Sequence, residues 1–128
     1  MNKILENLRY TKTHEWVVLL NDTTALTGIS DFAQQALGDL VFINLPAEGD
    51  TVTAGQPFGD LESVKAVSDI LSPVTGTVTA VNQAIVDHPE LINENPYGNW
   101  FIEVSDVTGE AELMTACEYE AFCIKEKH

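Results

Sequence analysis

Phe58-Gly59-Asp60-Leu61-Glu62 and Val67-Ser68-Asp69-Ile70-Leu71 are two short runs joined by Ser63-Val64-Lys65-Ala66. Runs of this length and composition read as strands, and a four-residue join makes them a β-hairpin with Lys65 at its tip. The tip contains neither Asn-Gly nor Asp-Gly, so the turn type stays open. Lys65 is also isolated. Of the 6 Lys and Arg residues in the 128-residue chain, it alone lies between Lys12 and Lys125. Two readings are open for such a lysine: a solvated side chain of an acidic protein, or a point of covalent modification. Schiff-base catalysis fits poorly, because it needs an apolar pocket or a neighbouring cation to free the amine, and here Glu62 and Asp69 are the charged neighbours.

Outward from the hairpin, the chain reads as further short strands separated by turn residues, the pattern of an all-β sandwich or barrel. Trp16–Leu20 and Ala25–Ile29 flank the polar turn Asn21-Asp22-Thr23-Thr24. Ser30 then suits a helix N-cap, Asp31 the positive end of the helix dipole, and Gly38 the stop, with Phe32, Ala33, Ala36 and Leu37 as the apolar face. Leu40–Leu45, Thr51–Thr53, Thr75–Val81 and Asn99–Val104 complete the expected strands, and one helical turn is expected around Glu90-Leu91-Ile92. Leu113, Ala116, Cys117, Tyr119, Ala121 and Phe122 are spaced for an amphipathic C-terminal helix over about 109–123. Gly49–Gly55 before the hairpin and Ser72–Val78 after it are similar enough to suggest two half-sheets joined through it.

The length and the 45% apolar content suit a single domain spanning 1–128, with its core at about 10–105. Twenty acidic residues against 6 basic ones leave a net charge of −14. Such a field repels phosphate backbones and anionic headgroups, so neither nucleic acid nor membrane is an expected partner. A docking protein would present a basic or mixed face. Cys117 and Cys123 are expected as reduced, partly buried thiols in the helix. The start, Met1 to Glu6, lacks the features of a signal or transit segment, and no apolar run reaches the roughly 18 residues of a membrane span. A cytoplasmic protein is expected, unless a presequence has been removed.

Other chemistries find little support. His14, His88 and His128 are too scattered for a metal set, and neither a G-x-S-x-G elbow nor a phosphate-binding glycine loop occurs.

The stretch Glu62–Asp69, followed by Ser72-Pro73-Val74-Thr75-Gly76, preceded by Gly28-Ile29-Ser30-Asp31-Phe32-Ala33-Gln34 and succeeded by Asn93-Glu94-Asn95-Pro96-Tyr97-Gly98, resembles the glycine cleavage H-protein family. The likeness runs from about Tyr10 to Phe122. Biotin carriers usually place Met on both sides of their lysine, and lipoyl domains of 2-oxo acid dehydrogenases usually place Asp before it. Val64 and Ala66 match neither pattern.

The resemblance implies a mainly β, barrel-sandwich hybrid with a short inserted helix and a C-terminal helix, carrying lipoate as an amide on Lys65. It implies a carrier, not an enzyme. Its partners would be a lipoate-attaching enzyme and three others: a pyridoxal-phosphate glycine decarboxylase (P protein), a tetrahydrofolate-dependent aminomethyltransferase (T protein) and dihydrolipoyl dehydrogenase (L protein). The first loads an aminomethyl group, the second removes the one-carbon unit and the third reoxidises the dithiol. A monomer is expected, since the hairpin must meet several enzymes in turn. The arm is also expected to fold back between partners into a cleft walled by His14, Glu15 and the Ser30–Leu37 helix. A lipoate relay to other complexes and an unmodified acidic β module are the alternatives.

Overall fold

The structure, a computed structural model, describes residues 4–126; positions 1–3 and 127–128, His128 among them, lie outside the described residues. The strands are β1 (Arg9–Tyr10), β2 (Glu15–Leu19), β3 (Ala25–Ile29), β4 (Leu40–Asn44), β5 (Thr51–Val52), β6 (Pro57–Ser63), β7 (Val67–Leu71), β8 (Val74–Val81) and β9 (Ile102–Glu110). Helices α1 (Asp31–Leu37), α2 (Gln83–Asp87), α3 (Glu90–Glu94) and α4 (Ala116–Glu126) are set between and after them. One sheet has the order β1-β2-β3-β9-β8-β5 and the other β4-β6-β7.

Alternation explains why the two sheets face one another. On the smaller sheet, Ile43, Leu61 and Ile70 turn inward, while Phe42, Glu62, Val67 and Asp69 turn out. The inward set meets Val17, Ile29, Val78 and Val104 of the larger sheet in one apolar cluster, closed at its side by Ile85 of α2 and Ile92 of α3. Burial of each such side chain contributes about 2 kcal/mol. A second cluster gathers Leu8, Tyr10, Trp16, Tyr119 and Cys123 on the far side of β2. There Tyr10 and Tyr119 stack at 4.3 Å between centroids, and this contact seats α4.

The similar segments flanking the hairpin pair with each other. Thr51 and Val52 face Thr77 and Gly76, Gly49 N donates to Val78 O at 2.8 Å, and Gly55 N donates to Ser72 O at 2.8 Å. Both segments therefore lie in the larger sheet, paired with each other near the base of the hairpin, and are not halves of two sheets joined through it.

Four other expectations change. The last strand starts at Ile102 and runs on to Glu110, because β8 offers partners that a polar sequence does not advertise, with Thr75 opposite Gly109 and Val74 opposite Glu110. The C-terminal helix starts at Ala116, not near 109. Ala111 N donates to Pro73 O, and Tyr10 and Met114 exchange two backbone hydrogen bonds, so this stretch is bound to other strands and cannot wind. Cys117 is exposed, and only Cys123 is buried. Helix α2 and strand β1 had no counterpart in the expected elements.

Gly59 marks the closest backbone approach. It sits at the irregularity between Pro57 and Gly59, and a Cβ there would stand 2.1 Å from the carbonyl oxygen of Asn44. A backbone oxygen held in a sheet cannot swing aside. Gly59→Ala is expected to destabilise the fold by about 1–3 kcal/mol, read as a lowered urea midpoint. An unchanged midpoint would show that β4 and β6 can separate at no cost.

Candidate functional site

Lys65 lies at the hairpin tip, as expected, in a turn built by Ser63. The Ser63 hydroxyl accepts from Lys65 N at 3.1 Å and from Ala66 N at 3.0 Å, while Ser63 N donates to Ala66 O at 2.8 Å. Serine competes well for local backbone donors, which supplies the turn chemistry that the absent Asn-Gly or Asp-Gly would otherwise provide. Val64 N donates to Asp39 O at 3.0 Å and so pins the tip to the connection between α1 and β4. The backbone under the lysine is held on both sides.

The lysine side chain does not stand clear of the fold. It is exposed, yet its stem runs over Gly38, where an added Cβ would come 2.8 Å from Lys65 Cε. Gly38 has φ of 83° and stops α1, so one glycine both ends the helix and leaves room for the lysine. At the other end of α1, the Ser30 hydroxyl accepts from Ala33 N at 3.2 Å, the expected cap. Asn93 fixes the helix exit, donating to Gln34 Oε1 and to Gly38 O and accepting from Leu40 N, each at 2.9 Å.

Of the three expected cleft walls, the helix comes to Lys65 at its C-cap, Gly38. Glu15 is 2% exposed. Its carboxylate accepts from the hydroxyls of Thr11 and Thr13 and from Leu71 N at 3.3 Å, tying β2 to the base of the lysine hairpin. Burial raises its pKa above the ordinary 4.5, opposed by those donors.

His14 is enclosed by aromatic rings. It stacks on Phe32 at 4.5 Å and approaches Tyr119 and Phe122. One neutral tautomer places every proton: Ser30 Oγ donates to Tyr119 Oη (2.6 Å), Tyr119 Oη to His14 Nδ1 (2.7 Å), and His14 Nε2 to Glu126 (2.6 Å). His14 is therefore a brace between α1 and α4. Its proximity to the α1 cap was legible in neither residue's neighbours. The signal that would have placed α4 is Thr115-Ala116-Cys117-Glu118, where Thr115 N donates to Glu118 Oε1 and Glu118 N to Thr115 Oγ1, a capping box.

Among the described residues no group of His, Cys, Asp and Glu could hold a metal, and no helix is long and apolar enough to cross a membrane.

The comparisons with known proteins are consistent with one another. The model of the Glycine cleavage H-protein family matches residues 8–126. The glycine cleavage system H protein of Lachnoclostridium phytofermentans is 55% identical over 124 residues, spanning 97% of this chain and 98% of that one. That of Coprothermobacter proteolyticus is 50% identical over 123 residues, spanning 94% and 97%. The crystal structure of a glycine cleavage system H protein from Mycobacterium marinum superposes with a TM-score of 0.87 at 42% identity, covering 92% of this chain and 97% of that one. With the two-sheet architecture, that likeness bears out the barrel-sandwich expectation.

Burial holds the His14 pKa below the ordinary 6.5, against the opposing pull of Glu126. A depressed value in the folded state means that the unfolded chain binds more protons once the pH falls below about 6.5. The stability tied to neutral His14 is thus complete above that pH and is lost as the pH falls toward the folded-state value. Urea midpoints measured from pH 7.5 to 5.5 are expected to fall more steeply in the wild type than in His14→Asn. Parallel decline in the two proteins would acquit the imidazole.

Proposed function

The chain belongs to the glycine cleavage H-protein family, and from that membership we propose that Lys65 is the residue to which lipoate is joined, as an amide on Nζ. The chain is a lipoyl carrier of the glycine cleavage system and not itself a catalyst. When bound, the lipoyl group supplies a disulfide that takes up the one-carbon unit of glycine and is restored by oxidation.

The observation that carries the assignment is the setting of Lys65, an exposed amine on a clamped hairpin tip with no other lysine from Thr13 to Ile124. An attaching enzyme meets no competing amine there. Lys12, the nearest earlier lysine, has its Nζ 2.8 Å from Glu112. The residues also fit a long acyl chain: Gly38 leaves open the space a side chain would fill beside Lys65 Cε, and the Ser63 turn holds the Lys65 backbone while its side chain remains exposed. A fixed base with a flexible arm keeps a tethered group at high effective concentration near whichever partner docks. Amide formation removes one positive charge, taking the formal net charge from −14 to −15.

The partners in this reading are the lipoate-attaching enzyme and then, in turn, glycine decarboxylase, aminomethyltransferase and dihydrolipoyl dehydrogenase, each meeting a monomeric carrier in the cytoplasm. The strong acidity supports protein partners over nucleic acid or membrane.

Intact-mass measurement on protein from lipoate-replete cells is expected to show one lipoyl increment, absent in Lys65→Arg. The variant should melt like the wild type, since an exposed turn substitution changes stability by less than about 0.5 kcal/mol. With the three partner enzymes, only the modified wild type should support glycine-dependent reduction of NAD. An increment that persists in Lys65→Arg sinks the assignment.

A further inference from the structure

The outer face of the β4-β6-β7 sheet divides into two rows. Phe42 faces Glu62 and Glu62 faces Val67, next to the hairpin tip; Asn44, Asp60 and Asp69 form the row behind. Simple alternation would leave Phe42 as the outward apolar residue of β4. A bulge between Leu40 and Phe42 inserts one more residue and leaves Val41 exposed as well. Val64 adds to this end of the sheet through its bond to Asp39. Val41, Phe42, Val64 and Val67 are 47–68% exposed, and they make up four of the seven large apolar side chains exposed in this way among the described residues. Single exposed apolar residues need no explanation, but a group gathered beside one lysine does. Core packing does not account for them, since Leu40, Ile43, Leu61 and Ile70 already fill the inner face.

We propose that this face is the docking surface for the enzyme that joins the lipoyl group to Lys65; the proposal rests on Lys65 being the attachment point. Reach selects this occupant. Attachment makes its bond at Nζ: the amide forms, the bond from the acyl carbon to its activating group breaks, that group leaves with the electron pair, and the lysine ammonium gives up two protons. The enzyme must therefore bring an activated acyl donor to a bare lysine whose backbone is pinned and whose stem lies over Gly38. Its surface has to cover the residues beside the tip. An enzyme that works on the finished arm acts at the far end of the lysyl and lipoyl chain and has no need to touch β4.

Charge selects its chemistry. The apolar group is bordered by Asp39, Asp60, Glu62 and Asp69 on a chain of net charge −14. A partner with an apolar centre and a rim of Lys and Arg complements it, whereas a second copy of this chain brings like charge.

The test compares unmodified full-length chains: the wild type, Val41→Ser/Phe42→Ser, and a control, Leu19→Ser/Leu20→Ser, which removes two similarly exposed residues where β2 ends and its turn to β3 begins. Each is incubated with purified lipoate–protein ligase, lipoate and ATP, and modification is followed by mass spectrometry. The β4 double variant is expected to lose roughly tenfold in kcat/KM, mostly through KM, with the control within about twofold of wild type. Modification of the wild type should slow as salt is raised. Given time the β4 variant reaches full modification and then supports glycine-dependent NAD reduction at the wild-type rate. Equal modification rates in the wild type and the β4 variant overturn the proposal. So does normal modification followed by slowed glycine turnover, which assigns the face to the glycine-cleaving enzymes. A wild type that takes up no lipoyl mass overturns the assignment of Lys65 and this proposal together, and differs visibly from the other outcomes.

Discussion

The presentation of Lys65 depends on one clamp at the base of its hairpin. Gly55 N and Ser72 N donate to Ser72 O and Gln56 O, at 2.8 and 2.9 Å, and Ala54 N donates to the Thr75 hydroxyl at 2.9 Å. The first two bonds close the base of the hairpin by joining its two ends, and the third fastens that base to β8 of the larger sheet. Glu15 adds a fastening from β2 by accepting from Leu71 N. A buried carboxylate is costly to desolvate, and this one is kept because three donors converge on it and it joins elements far apart in sequence.

From that base the constraint passes to the tip. Ile43, Leu61 and Ile70 are locked in the core, so the register of the smaller sheet cannot slip without turning them outward. That register fixes Ser63 as the turn residue and brings Asp39 to Val64. Helix α1 closes the arrangement, because its stop at Gly38 lies under the lysine stem while its cap at Ser30 is bonded to Tyr119 of α4. The C-terminal helix, remote from the hairpin in sequence, is thus joined to the lysine's surroundings through one helix. A carrier needs this division, with stiffness in the base and freedom in the side chain.

Much of this was legible before any coordinates. The strands 25–29 and 67–71, the helix with its serine cap and glycine stop, and the lysine at a hairpin tip all follow from local signals, because turn and capping residues act over two to four positions. What failed was of another kind. Residues 105–108 lie past the expected end of the last strand and 109–110 in the expected helix, yet all are strand because β8 supplies partners for Ser105, Gly109 and Glu110. Residues 111–114 have helix-like spacing, yet they extend because Pro73 and Tyr10 take their backbone bonds. The capping box at Thr115 is a local signal that marks the true start of α4, which apolar spacing alone does not.

By itself the sequence determined the β class, the acidic character, the hairpin and the singular lysine, since each rests on residue type and short spacing. Only the tertiary structure decided which residues surround that lysine. Gly38 lies 27 positions away, and nothing local says that the lysine stem will cross it. His14 and Glu15 are adjacent in the chain and looked like two walls of one cleft, but Glu15 opens β2 while His14 lies just before it with a left-handed φ of 73°, so one braces the helices and the other the sheets. The bulge that exposes Val41 beside Phe42 exists only in the pairing of β4 with β6. Long-range pairing decides such features, and no window along the chain contains both partners.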